Sequence, residues 1–157
     1  MGIAYRRDQE SDLALAVWHG PVSCEEWSDQ VRRLVSEFDG RPTRRFLTDI
    51  RAAGDVSTIT DAHISEMAEL FARGLRGTKA KVAVVASGLF EAAETFERES
   101  ALSGVATTIV FNHLGTACSW LGVDADIVQR RISALRREII TRRAGFVSGP
   151  EEPSGNM

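Results

Sequence analysis

Two short segments of alternating apolar and polar residues open the chain. Residues 3–7 and 13–19 show this alternation on either side of a short polar run, a pattern typical of an antiparallel β-hairpin. Gly20-Pro21 ends the second segment, and Ser23 precedes Glu26 by three residues, the spacing of a capping box at a helix start. We therefore predict two paired strands that lead directly into a helix.

Beyond the hairpin, helical stripes alternate with short apolar runs. Each predicted helix spaces its apolar side chains so that they share one face. Each predicted strand is a short apolar or β-branched run bounded by glycine, proline or polar residues. The strands are predicted over 45–50, 81–86 and 107–111, and the helical stripes are Trp27, Val31, Leu34, Val35 and Phe38; Ile64, Met67, Ala68, Phe71 and Leu75; Leu89, Phe90, Ala93 and Phe96; and Leu114, Ala117 and Leu121.

The resulting order of elements is ββαβαβαβα. Strands that alternate with helices in this way are joined by right-handed crossovers and lie parallel in the sheet. We predict an α/β fold with a mixed, mostly parallel five-stranded sheet and flanking helices, in which the hairpin supplies an antiparallel edge. A polar loop is predicted over 51–57, and one domain over 1–147.

An additional helix is predicted at the carboxyl end of this domain, over about 125–143. Arginines flank its apolar stripe, so a helix lying on a membrane surface and a self-association seam are both alternatives to packing on the protein itself. Acidic neighbours dilute the positive charge, and the stripe is too short for a coiled coil. We therefore favour packing on the sheet or on a second subunit through Val128, Ile132, Leu135 and Ile139.

Composition restricts the class of protein. The formal net charge of −3 argues against a nucleic-acid partner, which requires a concentrated excess of Lys and Arg. The sequence contains neither a membrane-spanning apolar run nor a signal-peptide core, so we expect a cytoplasmic protein without integral membrane contact. Cys24 and Cys118 are then expected to be reduced thiols. Residues 148–157, which contain two prolines and two glycines, are predicted to be disordered.

Four segments, in their order and spacing, carry a family resemblance. They are Gly20-Pro21 leading into Glu25-Glu26-Trp27, the run Phe46-Leu47-Thr48-Asp49-Ile50-Arg51, the run Lys81-Val82-Ala83-Val84-Val85-Ala86-Ser87, and Val110-Phe111 leading to Ala117-Cys118-Ser119-Trp120-Leu121. Together they resemble the bacterial SpoIIAA-like family, which is related in fold to STAS domains and more distantly to the CRAL-TRIO lipid-transfer domain. The resemblance covers most of residues 3–122. It implies the fold predicted above and very little chemistry.

One branch of that group, the anti-sigma-factor antagonists, carries an Asp-Ser-Ser-Gly-type signature after the third strand. A serine of this signature is phosphorylated at a helix N-terminus. The matching region of this chain, residues 49–60, departs from the signature, since its hydroxyl groups are shifted and differently spaced. Ser57, Thr58 and Thr60 are therefore candidate phosphorylation sites only by position.

A candidate ligand site follows from the predicted topology. Open α/β sheets bind ligands beyond the carboxyl ends of their parallel strands, and a basic group beside helix N-termini there suits a small anion. In the alternative, structural interpretation, Asp49 caps the following loop or pairs locally with Arg51, and Ser87 and Asn112 open the helices that follow them. The candidate ligand-binding residues are Asp49, Arg51, Ser87, Asn112 and His113.

No catalytic motif is recognisable in the sequence. His19, His63 and His113 lack metal-ligand spacing, and the chain has neither a serine nucleophile elbow nor a Gly-rich phosphate loop. We expect no enzyme activity, no metal and no cofactor. The predicted function is a regulatory or protein-interaction module resembling STAS-type domains, acting on a protein partner and forming a homodimer.

A carrier or sensor of a small anionic or lipid-like ligand is the alternative function. The two functions differ in what they require of the protein interior. A carrier needs an apolar pocket of roughly 300 Å³ or more, whereas a partner-binding module can have a filled core. The apolar composition of the predicted strands and helices favours a filled core.

Overall fold

The computed structural model describes residues 2–38, 41–104 and 106–147, apart from the side chains of Ser103, Phe146 and Val147. The predicted disordered tail, 148–157, lies outside the described residues. Strands β1 to β5 are Ile3–Asp8, Leu13–Gly20, Arg45–Ala53, Ala80–Val85 and Ala106–Phe111. Helices α1 to α5 are Cys24–Ser36, Asp61–Leu75, Phe90–Ser103, Leu114–Leu121 and Ala125–Val147.

The strands form one five-stranded sheet in the order β1-β2-β3-β4-β5. Strand β1 is antiparallel to β2, and the other neighbours are parallel, as predicted. Each crossover advances by one strand in the same direction, so right-handed connections put α1, α2 and α3 on the same face of the sheet. Helices α4 and α5 follow the last strand and cover the opposite face.

Two separate hydrophobic clusters result, one on each face of the sheet. The α1–α3 face is rich in aromatic residues, including Trp18, Trp27 and Phe71. On the other face, the apolar stripe of α5 packs on β1 and β2 of its own sheet, which decides between the alternatives left open for this helix. The stripe residues Val128, Ile132, Leu135 and Ile139 are at most 2% exposed.

Strand β3 is longer than the sequence pattern predicts. The predicted loop over 51–57 is wrong for its first three residues, because pairing with β2 resumes after an irregularity between Val17 and His19. His19 then pairs with Ala52, and Gly20 with Ala53. The consequence for the candidate site is that Arg51 lies on the strand rather than in a loop, two residues after the fully buried Asp49.

The start of α1 confirms the predicted capping box. The Ser23 hydroxyl accepts a hydrogen bond from the Glu26 amide at 3.2 Å, and the Glu26 carboxylate accepts one from the Ser23 amide at 3.2 Å. The same carboxylate accepts a hydrogen bond from the Gly2 amide at 2.9 Å. Glu26 therefore ties the start of β1 to the helix that covers the sheet.

Candidate functional site

An apolar cavity of about 110 Å³ lies between the sheet and helices α1–α3. Its walls combine aromatic, aliphatic and small side chains, and no charged residue is among the described residues that line it. The core on this face is therefore not completely filled, but the gap is smaller than the roughly 300 Å³ that a carrier needs. The lining includes Tyr5, Ala16, Trp18, Trp27, Gln30, Thr48, Val56, Ile59, Ile64, Met67, Val84, Leu89 and Phe96.

The strand register explains why this face is not filled. Tyr5 pairs with Ala16, Ala16 with Thr48 and Thr48 with Val84, so these residues form one row across the sheet. The flanking rows contribute the larger side chains of Phe46 and Trp18. Small side chains in the middle of the row leave a gap beneath the helices, because packed interiors close only where neighbouring volumes match.

Thr48 supplies a polar group on the floor of this cavity. It belongs to β3, an interior strand paired on both sides, and yet it is only half-buried. Since both of its lateral neighbours are strands, its exposed surface faces the gap below α1 and α2. Its hydroxyl has no hydrogen-bond partner among the described residues.

Part of the cavity lining lies at the carboxyl ends of the parallel strands. Half-buried Val56 and Ile59 border it from the β3–α2 loop, and Leu89 and Phe96 border it from the α3 segment. Trp27 stands between them, with ring centroids 5.8 Å from Trp18 and 6.0 Å from Phe96. This is the position at which open α/β sheets usually bind ligands.

A serine and a histidine meet beside this aromatic cluster. Ser28 Oγ lies 2.8 Å from His63 Nε2 and donates a hydrogen bond to the Cys24 carbonyl at 2.8 Å. His63 Nε2 also lies 3.2 Å from that carbonyl, which can only accept. Every group of the network is satisfied in the tautomer in which Nε2 carries the proton, because it can then donate to Ser28 Oγ and to the Cys24 carbonyl.

The predicted anion site contains a buried ion pair on the opposite face of the sheet. Asp49 is 0% exposed, and Arg51 donates to its two carboxylate oxygens at 2.9 Å each. Arg136 of α5 donates to the same Oδ2 at 3.4 Å. Local pairing of Asp49 with Arg51 was the structural interpretation of these residues, whereas Arg136 has no local sequence signal because it lies 87 residues away.

This ion pair and its surroundings shift two pKa values. Hydrogen bonding to Asp49 raises the pKa of Arg51 and outweighs the lowering effect of burial. Burial raises the pKa of the Cys118 thiol, and the Asp124 carboxylate raises it further, against a smaller effect of Arg51. Cys118 is 1% exposed and packs in the α4–α5 core as a neutral thiol.

The other three candidate ligand residues are exposed at strand ends. The Ser87 hydroxyl donates to the Arg51 carbonyl at 3.2 Å, so Ser87 is held beside the end of β3. It does not open α3, whose N-cap is Leu89. His113 is the N-cap of α4 without a side-chain capping bond, and Asn112 precedes it. The structure therefore joins Asp49, Arg51 and Ser87, while Asn112 and His113 lie at the end of β5.

The three hydroxyl residues after β3 have different structural roles. Thr60 is the N-cap of α2 and accepts a hydrogen bond from the His63 amide at 3.2 Å. The Thr58 hydroxyl accepts one from the Cys24 amide at the start of α1, at 3.0 Å. Ser57 is exposed beside Asp55, and hydrogen bonding from Ser57 lowers the pKa of that carboxyl. Phosphorylation of these residues stays a prediction.

The described residues contain neither a metal-binding cluster nor a membrane-spanning helix. Within residues 2–38, 41–104 and 106–147, no group of three or more His, Cys, Asp and Glu side chains is placed to hold a metal ion. In the same part of the chain, no helix has the length and apolar character needed to cross a bilayer.

Comparison with known proteins identifies the fold. No family model matches the chain, and no curated protein does. Among solved structures, the chain is similar to an uncharacterized protein from Shewanella loihica PV-4, described as a DUF3478 family member with a SpoIIAA-like fold. The identity is 21% and the TM-score 0.50, over 76% of this chain and 94% of that chain. At this identity the match concerns the fold alone, and the chain has a SpoIIAA-like fold.

Proposed function

We propose that this protein is a non-enzymatic module that binds a small apolar ligand between its sheet and helices α1–α3. The cavity on that face carries the proposal, because packed protein cores leave few voids larger than a water molecule. Its lining reaches the carboxyl ends of the parallel strands, where the β3–α2 loop and the α3 segment contribute side chains to it. This is the sensor form of the alternative function, with a small apolar rather than an anionic ligand, because the cavity is below the roughly 300 Å³ that a carrier needs.

The volume of the cavity restricts the size of the ligand. At about 110 Å³ it is smaller than the roughly 300 Å³ at which drug-sized pockets begin. A cavity of about 150 Å³ in another protein stays dry and takes up benzene, so the size here suits one ring or a short alkyl group. A whole phospholipid is too large without rearrangement of the helices.

The arrangement of polar side chains supports binding rather than catalysis. The Ser28 hydroxyl is engaged with the Cys24 carbonyl, and the anion-site carboxylate of Asp49 is occupied by two guanidinium groups. Neither pair offers a free base next to a nucleophile. The absence of enzyme activity stays a prediction, to be tested by assay.

Methyl NMR with toluene as the probe tests the proposed function. Toluene should shift the methyl resonances of Ile64, Met67 and Val84, which line the cavity, and leave those of Ile132 and Ile139 in the other core unchanged. It should also raise the thermal unfolding midpoint, since a ligand that binds only the folded state stabilises it. Equal shifts in both cores, or none in either, would contradict the proposal.

A cavity-filling variant completes this experiment. Ala16→Leu places three more carbon atoms on the cavity floor and should abolish the toluene-induced shifts. Ala62→Leu, at an exposed position of α2, is the matched control and should bind toluene like the natural sequence. Unchanged toluene binding by a folded Ala16→Leu variant would place the binding elsewhere.

The regulatory role through a protein partner, and the homodimer, stay predictions. Ligand binding and partner binding are compatible, since a ligand in the cavity would contact α1–α3 and change how these helices pack. Native mass spectrometry of the purified protein tests the dimer directly. Its comparison with the denatured mass reports any retained ligand or covalent phosphate.

A further inference from the structure

We infer that the ligand of this cavity is an uncharged, single-ring-sized molecule whose polar group hydrogen-bonds to the Thr48 hydroxyl. This inference rests on the proposed function and adds the chemical class of the ligand and the residue that orients it. It predicts a neutral ligand rather than the anionic ligand that Arg51 at the strand end suggested.

The charge of the ligand follows from the walls of the cavity. The described lining residues include no Asp, Glu, Lys, Arg or His, so a charged ligand group would lose its hydration without gaining a counter-ion. Arg51 and Arg136 lie on the opposite face of the sheet, where they both donate to Asp49. The sheet therefore separates the cavity from the two guanidinium groups that could bind an anion.

Thr48 is the polar group best placed to orient the ligand. It sits in the middle of the floor row, between Ala16 and Val84, and its side chain is half-buried although its strand is interior. A buried or half-buried hydroxyl without a partner gains a hydrogen bond when a ligand supplies one, at little cost in water lost. A hydroxyl can both donate and accept, so alcohols, phenols and carbonyl compounds all satisfy it.

The other polar groups of the lining are less suited to this role. The Tyr5 hydroxyl donates to the Glu37 carboxylate at 2.7 Å, and burial, together with this bond, raises the pKa of Tyr5. Trp18 Nε1 is without a partner, but it has almost no accessible surface and so does not reach the open volume. Gln30 lies on α1, a half-buried helix position rather than the floor.

Three probes of similar size test the inference: toluene, phenol and benzoate. The informative quantity is the ratio of the phenol to the toluene affinity, measured by NMR titration in the natural protein and in variants. Thr48→Val replaces the hydroxyl with a methyl group of the same shape and should lower this ratio about 5-fold, the effect of one hydrogen bond. Benzoate should bind at least about 100-fold more weakly than toluene, because its carboxylate would be unpaired.

A second threonine on the same face of the sheet provides the matched control. Thr108 lies in β5, pairs with Val82, and is 6% exposed, but it does not line the cavity. Thr108→Val should leave the phenol-to-toluene ratio unchanged. Circular dichroism and the thermal midpoint establish that both variants are folded before the ratios are compared.

The outcomes separate the two proposals. Failure of both toluene and phenol to bind the natural protein would overturn the proposed function. Toluene binding with a ratio that Thr48→Val leaves unchanged would overturn only the role of Thr48. Benzoate binding as tight as that of toluene would overturn the uncharged class of the ligand while leaving the cavity as the binding site.

Discussion

Asp49 shows how much one residue can depend on distant parts of the chain. Its carboxylate is completely buried, and it is neutralised by Arg51 two residues away and by Arg136 on α5. Both arginine side chains remain about 30% exposed, at 28% and 31%. The two partly exposed guanidinium groups therefore neutralise a carboxylate that is itself out of contact with solvent. Removing one of them leaves that buried charge less well paired, which is costly.

Replacing Arg51 by alanine should destabilise the protein. Breaking a buried ion pair costs about 3–5 kcal/mol, and since Arg51 is partly exposed and Arg136 remains, we expect about 2 kcal/mol. Urea unfolding followed by circular dichroism measures the change. Arg44→Ala is the control, because the pair of Arg44 with Asp12 is long, at 4.0 Å, and exposed, so the loss should be under about 0.5 kcal/mol. Equal losses in the two variants would show that the buried Asp49–Arg51 pair contributes no more to stability than the exposed Asp12–Arg44 pair.

At the scale of elements, the contact between α1 and α2 reverses the usual preference for alanine over glycine inside a helix. Gly74 is a helical residue of α2, and helix propensity alone makes alanine about 1 kcal/mol better there. A Cβ at this position, however, would lie 2.6 Å from Val35 Cγ1 and 2.8 Å from Val35 Cγ2 on α1. Valine is stiff in a helix, so it cannot move aside easily.

Gly74→Ala should therefore destabilise the protein, by about 1 kcal/mol after the gain in propensity is subtracted from the overpacking cost. Gly115→Ala is the matched control in α4, where a Cβ would meet nothing within 4 Å, and it should stabilise by about 0.5 kcal/mol. Thermal unfolding of the two variants gives the comparison. Adding Val35→Ala to Gly74→Ala should relieve the overpacking; a stabilised Gly74→Ala single variant would contradict the close contact.

At the scale of the whole molecule, the two faces of the sheet are packed differently. The α1–α3 face encloses the cavity, whereas the face under α4 and α5 contains the stripe from Val128 to Ile139 at 0–2% exposure. A tightly packed core on one face can hold the sheet rigid while the other face accommodates a ligand. Under the proposed function, the C-terminal helix therefore supports the cavity from the other side of the sheet.

Ile132→Ala should cost about 3 kcal/mol, because this side chain is fully buried under α5 and its removal leaves a cavity. Ile140→Ala, on the same helix but 47% exposed, should change the free energy of unfolding by less than about 0.5 kcal/mol. Chemical unfolding of both variants tests this. A small loss for Ile132→Ala would mean that α5 does not complete the core.

The sequence by itself determined the elements and their order. The alternation in the hairpin, the Ser23–Glu26 capping box and the apolar spacing in α1, α2 and α5 are local patterns, and local patterns report secondary structure directly. They also offered the pairing of Asp49 with Arg51 as the structural interpretation, since residues two apart in the chain lie near each other in any fold. The mostly parallel sheet followed from the strand–helix alternation.

Only the tertiary structure decided where the gap in the core lies. Ala16, Thr48 and Val84 come from three strands, and nothing within one strand indicates that these residues share a row beneath the helices. The same holds for Arg136, which reaches Asp49 from α5, and for Val35, which closes on Gly74 from another helix. The alternation along each strand assigns a residue to a face, but the register between strands assigns its neighbours, and a cavity is a property of neighbours.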